Sequence, residues 1–117
     1  LFAAVTVTSA GSRFDFRSLP DSPEVAAGQG AATGPTWLKL RRDGNLVFGY
    51  ESPTGADGTW ALVGTAVVPF GTTVYAGLYL SSGSDIDAQA TTFTDVAVTP
   101  TTPVGANAHS PGPPLRA

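Results

Sequence analysis

Apolar and polar positions alternate along most of this chain, and nowhere does a 3.6-residue repeat persist. The alternation is clearest in "TWLKLRRDGNLVFGYESPTGADGTWALVG", residues 36 to 64, which Asp-Gly interrupts twice and which carries a Trp near each end. Period-2 patterning rich in Val, Phe, Tyr and Thr is the mark of half-buried β-strands. It predicts seven of them. "AAVTVT" (3–8) sets Val5 and Val7 on one face. "SRFDFRS" (12–18) turns Phe14 and Phe16 inward and Arg13, Asp15 and Arg17 outward, after a "SAGS" turn. "TWLKLRR" (36–42) turns Leu38 and Leu40 inward, and "LVFGYES" (46–52) returns after the turn "DGN", where Asp-Gly tolerates the positive φ of a tight hairpin. "TWALVGT" (59–65) follows "PTGADG" and buries Trp60 and Leu62. "TTVYAGLYLSS" (72–82) and "QATTFTDVAVTP" (89–100) complete the set.

The segments between and after these strands read differently. Residues 19 to 35 form a Pro/Gly-rich loop, long for a compact domain. Within it "VAAGQGAATG" has too many Gly for a helix and reads as loop. Past Val98, "TPTTPVGANAHSPGPPLRA" carries five Pro and no alternation, which predicts a semi-rigid linker or tail. The expected organisation is a β module over 1–98 and a Pro/Thr-rich tail over 99–117. Strands whose one face is apolar must bury it against a second layer. The predicted fold is therefore all-β, an antiparallel sandwich.

Residues 36 to 98, taken in order, are similar to the C-terminal half of concanavalin A-like jelly-roll modules of secreted bacterial proteins. The likeness rests on Trp37, Lys39, Leu40, Arg42, Gly44, Asn45, Phe48, Tyr50, Ser52, Asp57, Gly58 and Trp60, then on Pro69, Phe70, Gly71, Tyr75, Gly77, Leu78, Phe93, Val96 and Val98. Residues 1 to 18 fit the same pattern less closely. The resemblance implies a jelly roll and an accessory role beside enzymes or adhesins at a polysaccharide or cell surface. Two departures stand out. The loop around Pro53 to Gly55 is longer than in these modules, and they carry several strands before the position of Leu1. The expectation is a partial jelly roll with unpaired edges.

Composition narrows the class. At 117 residues, 42% hydrophobic and 13% charged, the chain fits one globular domain. Its net charge of −3 and lack of any basic run speak against nucleic acid and anionic membrane as partners. No apolar run nears the roughly 18 residues that cross a bilayer. The chain has no Cys, hence no disulfide framework or thiolate metal site, and no Met, which suggests a processed product or fragment. One Lys among many Thr, Ser, Gly and Ala resembles extracytoplasmic bacterial β modules, so a secreted or cell-surface location is expected.

Strand parity gathers candidate ligand-binding residues. Trp37, Lys39 and Arg41 share a face of their strand, as do Tyr75 and Tyr79 of theirs, with Gly77 leaving room between. Arg13, Asp15, Arg17 and Glu51 join them if all these strands form one sheet. Aromatic planes receive the C–H face of a sugar ring and charged groups receive its hydroxyls, so polysaccharide or cell-surface glycan is the expected partner, with neighbouring domains of the same chain. The plainer reading is a solvated sheet exterior whose aromatic cross-strand pairs bind nothing. "SPTGADGTW" loosely resembles the Asp-box turn of sialidases, itself structural, and turn chemistry already explains its Asp-Gly.

Asp85 and Asp87, a D-x-D pair, are the only candidates for a metal. Two carboxylates fall well short of a Ca²⁺ loop, so a solvated loop is preferred to a structural Ca²⁺ and no cofactor is expected. Catalysis finds no footing. The two Glu, Glu24 and Glu51, make no glycosidase pair, and the single His, His109, lies in the Pro-rich tail. The expected function is a non-catalytic accessory module with weak carbohydrate binding. The alternatives are a spacer without ligand, or part of a polysaccharide-degrading enzyme whose catalytic residues lie upstream.

Overall fold

A computed structural model describes residues 1–31, 36–80, 92–99 and the backbone of 115–116. The chain is all-β, with no helix among the described residues. It divides into two compact units, Leu1–Thr73 and Val74–Ala117.

The first unit holds two antiparallel three-stranded meanders. One sheet consists of β1 (Phe2–Thr8), β2 (Gly11–Arg17) and β3 (Val25–Gly30), in that order. The other consists of β4 (Trp37–Asp43), β5 (Leu46–Ser52) and β6 (Ala61–Val67), again in chain order. Tight turns set the register. Thr8 pairs with Gly11 across Ser9 and Ala10, and the Thr8 hydroxyl closes the turn by accepting from the Ala10 N–H at 3.1 Å. Asp43 pairs with Leu46 across Gly44 and Asn45, with Gly44 at φ 60°, a conformation glycine adopts without a Cβ clash.

The two sheets stack face to face: β1 lies against β4 and β5, and β2 and β3 lie against β6. Phe14, Val47, Val63, Ala66 and Val68 form the buried core, with Ala3, Val5, Phe16, Ala27 and Phe70 packed around them. Phe14 is fully buried. Its ring rests on Gly49 and Gly64, which face each other across β5 and β6. Burying that ring is worth about 2–3 kcal/mol relative to leaving it in water. This two-layer arrangement is β-sandwich-like, as the alternation implies.

Three expectations need correction within this unit. Residues 25–30 are a strand, not a loop. After Val25 the strand carries no large apolar side chain, and at Gly28 it lies so close to β6 that a Cβ would collide with the Val63 carbonyl. Leu62 is not buried but 55% exposed, and Trp60 precedes β6 and is only half-buried. A β-bulge causes this. Gly49 pairs with Gly64 but Tyr50 pairs with Leu62, so Val63 is an extra residue. Parity flips there, sending Leu62 outward while Val63, Gly64, Ala66 and Val68 turn inward. Leu40 occupies the inward side of β4, paired with Gly49, yet is 47% exposed because β4 is an edge strand of its sheet.

Residues 72–80, of which those from Val74 on belong to the second unit, make no strand, against the sixth expected strand. Residues 81 and 82 of that segment lie outside the described residues. Of the seventh, residues 89–91 and 100 lie outside the described residues; among the described ones Ala97–Val98 (β7) form a strand, which pairs antiparallel with Leu115–Arg116 (β8). Asp95, at φ 55°, breaks the extended backbone just before this short strand.

Candidate functional site: the outer face of the β4–β5–β6 sheet

The two-residue turn at Gly44–Asn45 dictates what faces what. Trp37 pairs with Ser52, Lys39 with Tyr50 and Arg41 with Phe48, all on the side away from Phe14. Leu62 and Thr65 of β6 continue these rows. The outer face therefore alternates cations and rings across strands.

The geometry is close. The Lys39 ammonium stands 4.8 Å from the centre of the Tyr50 ring and 4.3 Å from that of Trp60. The Arg41 guanidinium stands 4.6 Å from the centre of Phe48. Phe48 and Tyr50 stack at 6.3 Å with their planes 22° apart. Ring faces carry negative potential, so each cation finds a favourable site that keeps much of its hydration. Leu46, Leu62 and Val67 are exposed on the same face. Among the described residues the ion pair is Arg13–Asp15 on the other sheet, so neither Lys39 nor Arg41 is matched by a carboxylate.

A loop supports Trp37 from one side. The buried Ser52 hydroxyl accepts from the N–H groups of Thr54 (3.2 Å) and Gly55 (2.8 Å) and lies 2.6 Å from the Thr59 hydroxyl. The Thr36 hydroxyl donates to the Ser52 carbonyl at 2.9 Å. This folds residues 53–59 back so that Gly55 meets the indole: a Cβ there would stand 2.6 Å from Trp37 Cδ2. Ser52, not Asp57, organises the loop, and Asp57 is exposed.

Of the expected binding residues, Trp37, Lys39 and Arg41 come together on this face. Tyr75 and Tyr79 do not belong to this sheet; they lie in the second unit, both exposed. Glu51 is on the opposite face from Lys39. It pairs with Leu38 and accepts a hydrogen bond from the buried Ser12 hydroxyl of the facing sheet. Arg13, Asp15 and Arg17 belong to β2 in the other sheet, where Arg13 donates to Asp15 at 2.7 Å and Arg17 lies over Phe2. Asp85 and Asp87 lie outside the described residues, and no group of three or more His, Cys, Asp or Glu gathers among those described.

Phe48, Tyr50 and Trp60 complete the face and were absent from the expected set. The signal for the first two was present: a two-residue turn after Asp43 sets residue 39 opposite 50 and 41 opposite 48. The same count sets Glu51 opposite Leu38 and so removes it from the platform. Trp60 carried no such signal, because its side depends on the bulge at Val63.

Comparison with known protein families, curated proteins and solved structures finds no match to this chain.

Proposed function

We propose that the chain is a non-catalytic accessory module of a secreted bacterial protein. In this reading it is a partial concanavalin A-like jelly roll that holds polysaccharide weakly on the outer face of β4–β5–β6. One observation carries it: both Trp of the chain, Trp37 and Trp60, flank the same exposed face as Lys39 and Arg41. A sugar ring laid on an indole buries its C–H face while its hydroxyls meet the flanking donors. The order of residues 36 to 98 that resembles concanavalin A-like modules supports the same reading.

A spacer module without ligand is the second reading. The observation favouring it is that Lys39 sits over two rings and Arg41 over a third, so the ring faces already have partners. Such contacts are worth about 0.5–1 kcal/mol each at exposed sites and would stabilise a sheet by themselves.

Affinity electrophoresis of the 117-residue chain through gels holding plant or microbial polysaccharides separates the two. Retardation that Trp37→Ala abolishes supports the binding module. No retardation in any gel supports the spacer. Retardation lost in Tyr79→Ala but kept in Trp37→Ala places the site in the second unit and overturns the face assigned here.

A further inference from the structure

The face that gathers the rings also gathers charge of one sign. Six residues of the chain are Lys or Arg, and Lys39, Arg41 and Arg42 all lie on β4. Arg42 turns to the other side, where it donates to the carbonyls of Gly44 (2.7 Å) and Gly71 and lies beside Phe70. Lys39 and Arg41 remain on the outer face. Among the described residues, the acid on the outward positions of these strands is Asp43, at the hairpin end beyond Arg41. Glu51 is turned away toward Ser12. A chain of net charge −3 thus presents, on one sheet face, two cations without a paired carboxylate, set among exposed Trp37, Leu46, Leu62 and Val67.

This arrangement answers a particular chemistry. A neutral sugar needs donors and acceptors in like measure, whereas ammonium and guanidinium groups only donate. A guanidinium offers two parallel N–H groups to a carboxylate, a geometry that a lone hydroxyl does not fill. From these observations, and resting on the carbohydrate reading above, we propose that the outer face of β4–β5–β6 takes an acidic polysaccharide. A sugar ring lies on the exposed Trp37 indole, whose face no cation among the described residues covers, and the carboxylates of the chain meet Arg41 and Lys39. Charge complementarity identifies the occupant: a surface of cations and ring faces fits a chain that is anionic at its substituents and apolar across its ring faces.

Polygalacturonate and its fully methyl-esterified form share a backbone and differ in the carboxylate, so they isolate the claim. The intact 117-residue chain is titrated with each, and with poly-glutamate as a polyanion without sugar. The expected result is binding to polygalacturonate at least about tenfold tighter than to the ester, weakening as salt screens the charges. Arg41→Gln is expected to remove most of that preference, and Arg41→Lys to restore it in part. Equal binding of the ester overturns the acidic preference and leaves the carbohydrate reading standing. Poly-glutamate binding as tightly as polygalacturonate overturns it as mere charge attraction. Binding to neither polysaccharide fails both readings. A preference unchanged in Arg41→Gln and Lys39→Gln overturns the assignment to this face.

Discussion

The Phe14 side chain lies directly against the backbone of Gly64: a Cβ placed on that glycine would stand 2.8 Å from the Phe14 Cβ and 3.0 Å from its Cδ1. Gly49, the cross-strand partner of Gly64, meets the same ring from the other side. Two adjacent strands therefore share one dent, and one ring from the facing sheet fills it. The dent holds the inner face of β4–β5–β6 dry and leaves the opposite face free for Lys39, Arg41 and their rings.

Gly64→Ala should destabilise the protein through steric overlap, by about 1–3 kcal/mol. Phe14→Ala should cost about 3–5 kcal/mol by leaving the dent empty. Because both changes act on one contact, the double variant should lose less than the sum of the two. Urea unfolding of the four proteins checks this. Strict additivity would mean that the ring and the glycine do not meet.

The Ser12–Glu51 hydrogen bond joins the two sheets through a Ser that is almost fully buried. Ser12→Ala should cost about 1–3 kcal/mol, since it leaves a half-buried carboxylate short of a donor. Replacing both residues, Ser12→Ala with Glu51→Met, should cost less than Ser12→Ala alone, because no polar group is then left unpaired. Denaturant unfolding reads both. A double variant weaker than the single one would contradict the contact.

Ser52→Ala should release the loop over residues 53–59 while the sheets persist. Ser52 supplies the acceptor for the Thr54 and Gly55 N–H groups, so these amides should exchange with solvent faster, with those of the β4–β5 ladder little changed. Trp37 loses its support at Gly55 in that variant, so its indole should become more mobile. Unchanged exchange at Thr54 and Gly55 would show that the loop is held by something other than Ser52.

Much of the first unit could be read from alternation alone. The β4–β5–β6 meander, its Gly44 turn and the inward Phe14 all follow from period-2 patterning and Asp-Gly chemistry. The misses have physical causes. β3 is hidden because after Val25 it carries no large apolar side chain, which erases the pattern that marks a strand. Leu62 and Trp60 are misplaced because one extra residue at Val63 inverts parity, and no local residue type announces a bulge. For the site, Trp37, Lys39 and Arg41 were legible because they share one strand. Grouping Glu51 with them ignored the hairpin register. Grouping Tyr75 and Tyr79 with them assumed a sheet that ends at Val67.

The outer face of β4–β5–β6 can be watched directly, because the chain has two Trp and both stand there. Their two indole N–H resonances report on Trp37 and Trp60 as polysaccharide is added to the intact chain. The expected result is a saturable shift of both signals with a glycan retained in affinity gels, lost in the variant carrying Lys39→Gln and Arg41→Gln. A retained glycan that moves neither indole signal, or a panel in which no polysaccharide moves them, would contradict the account.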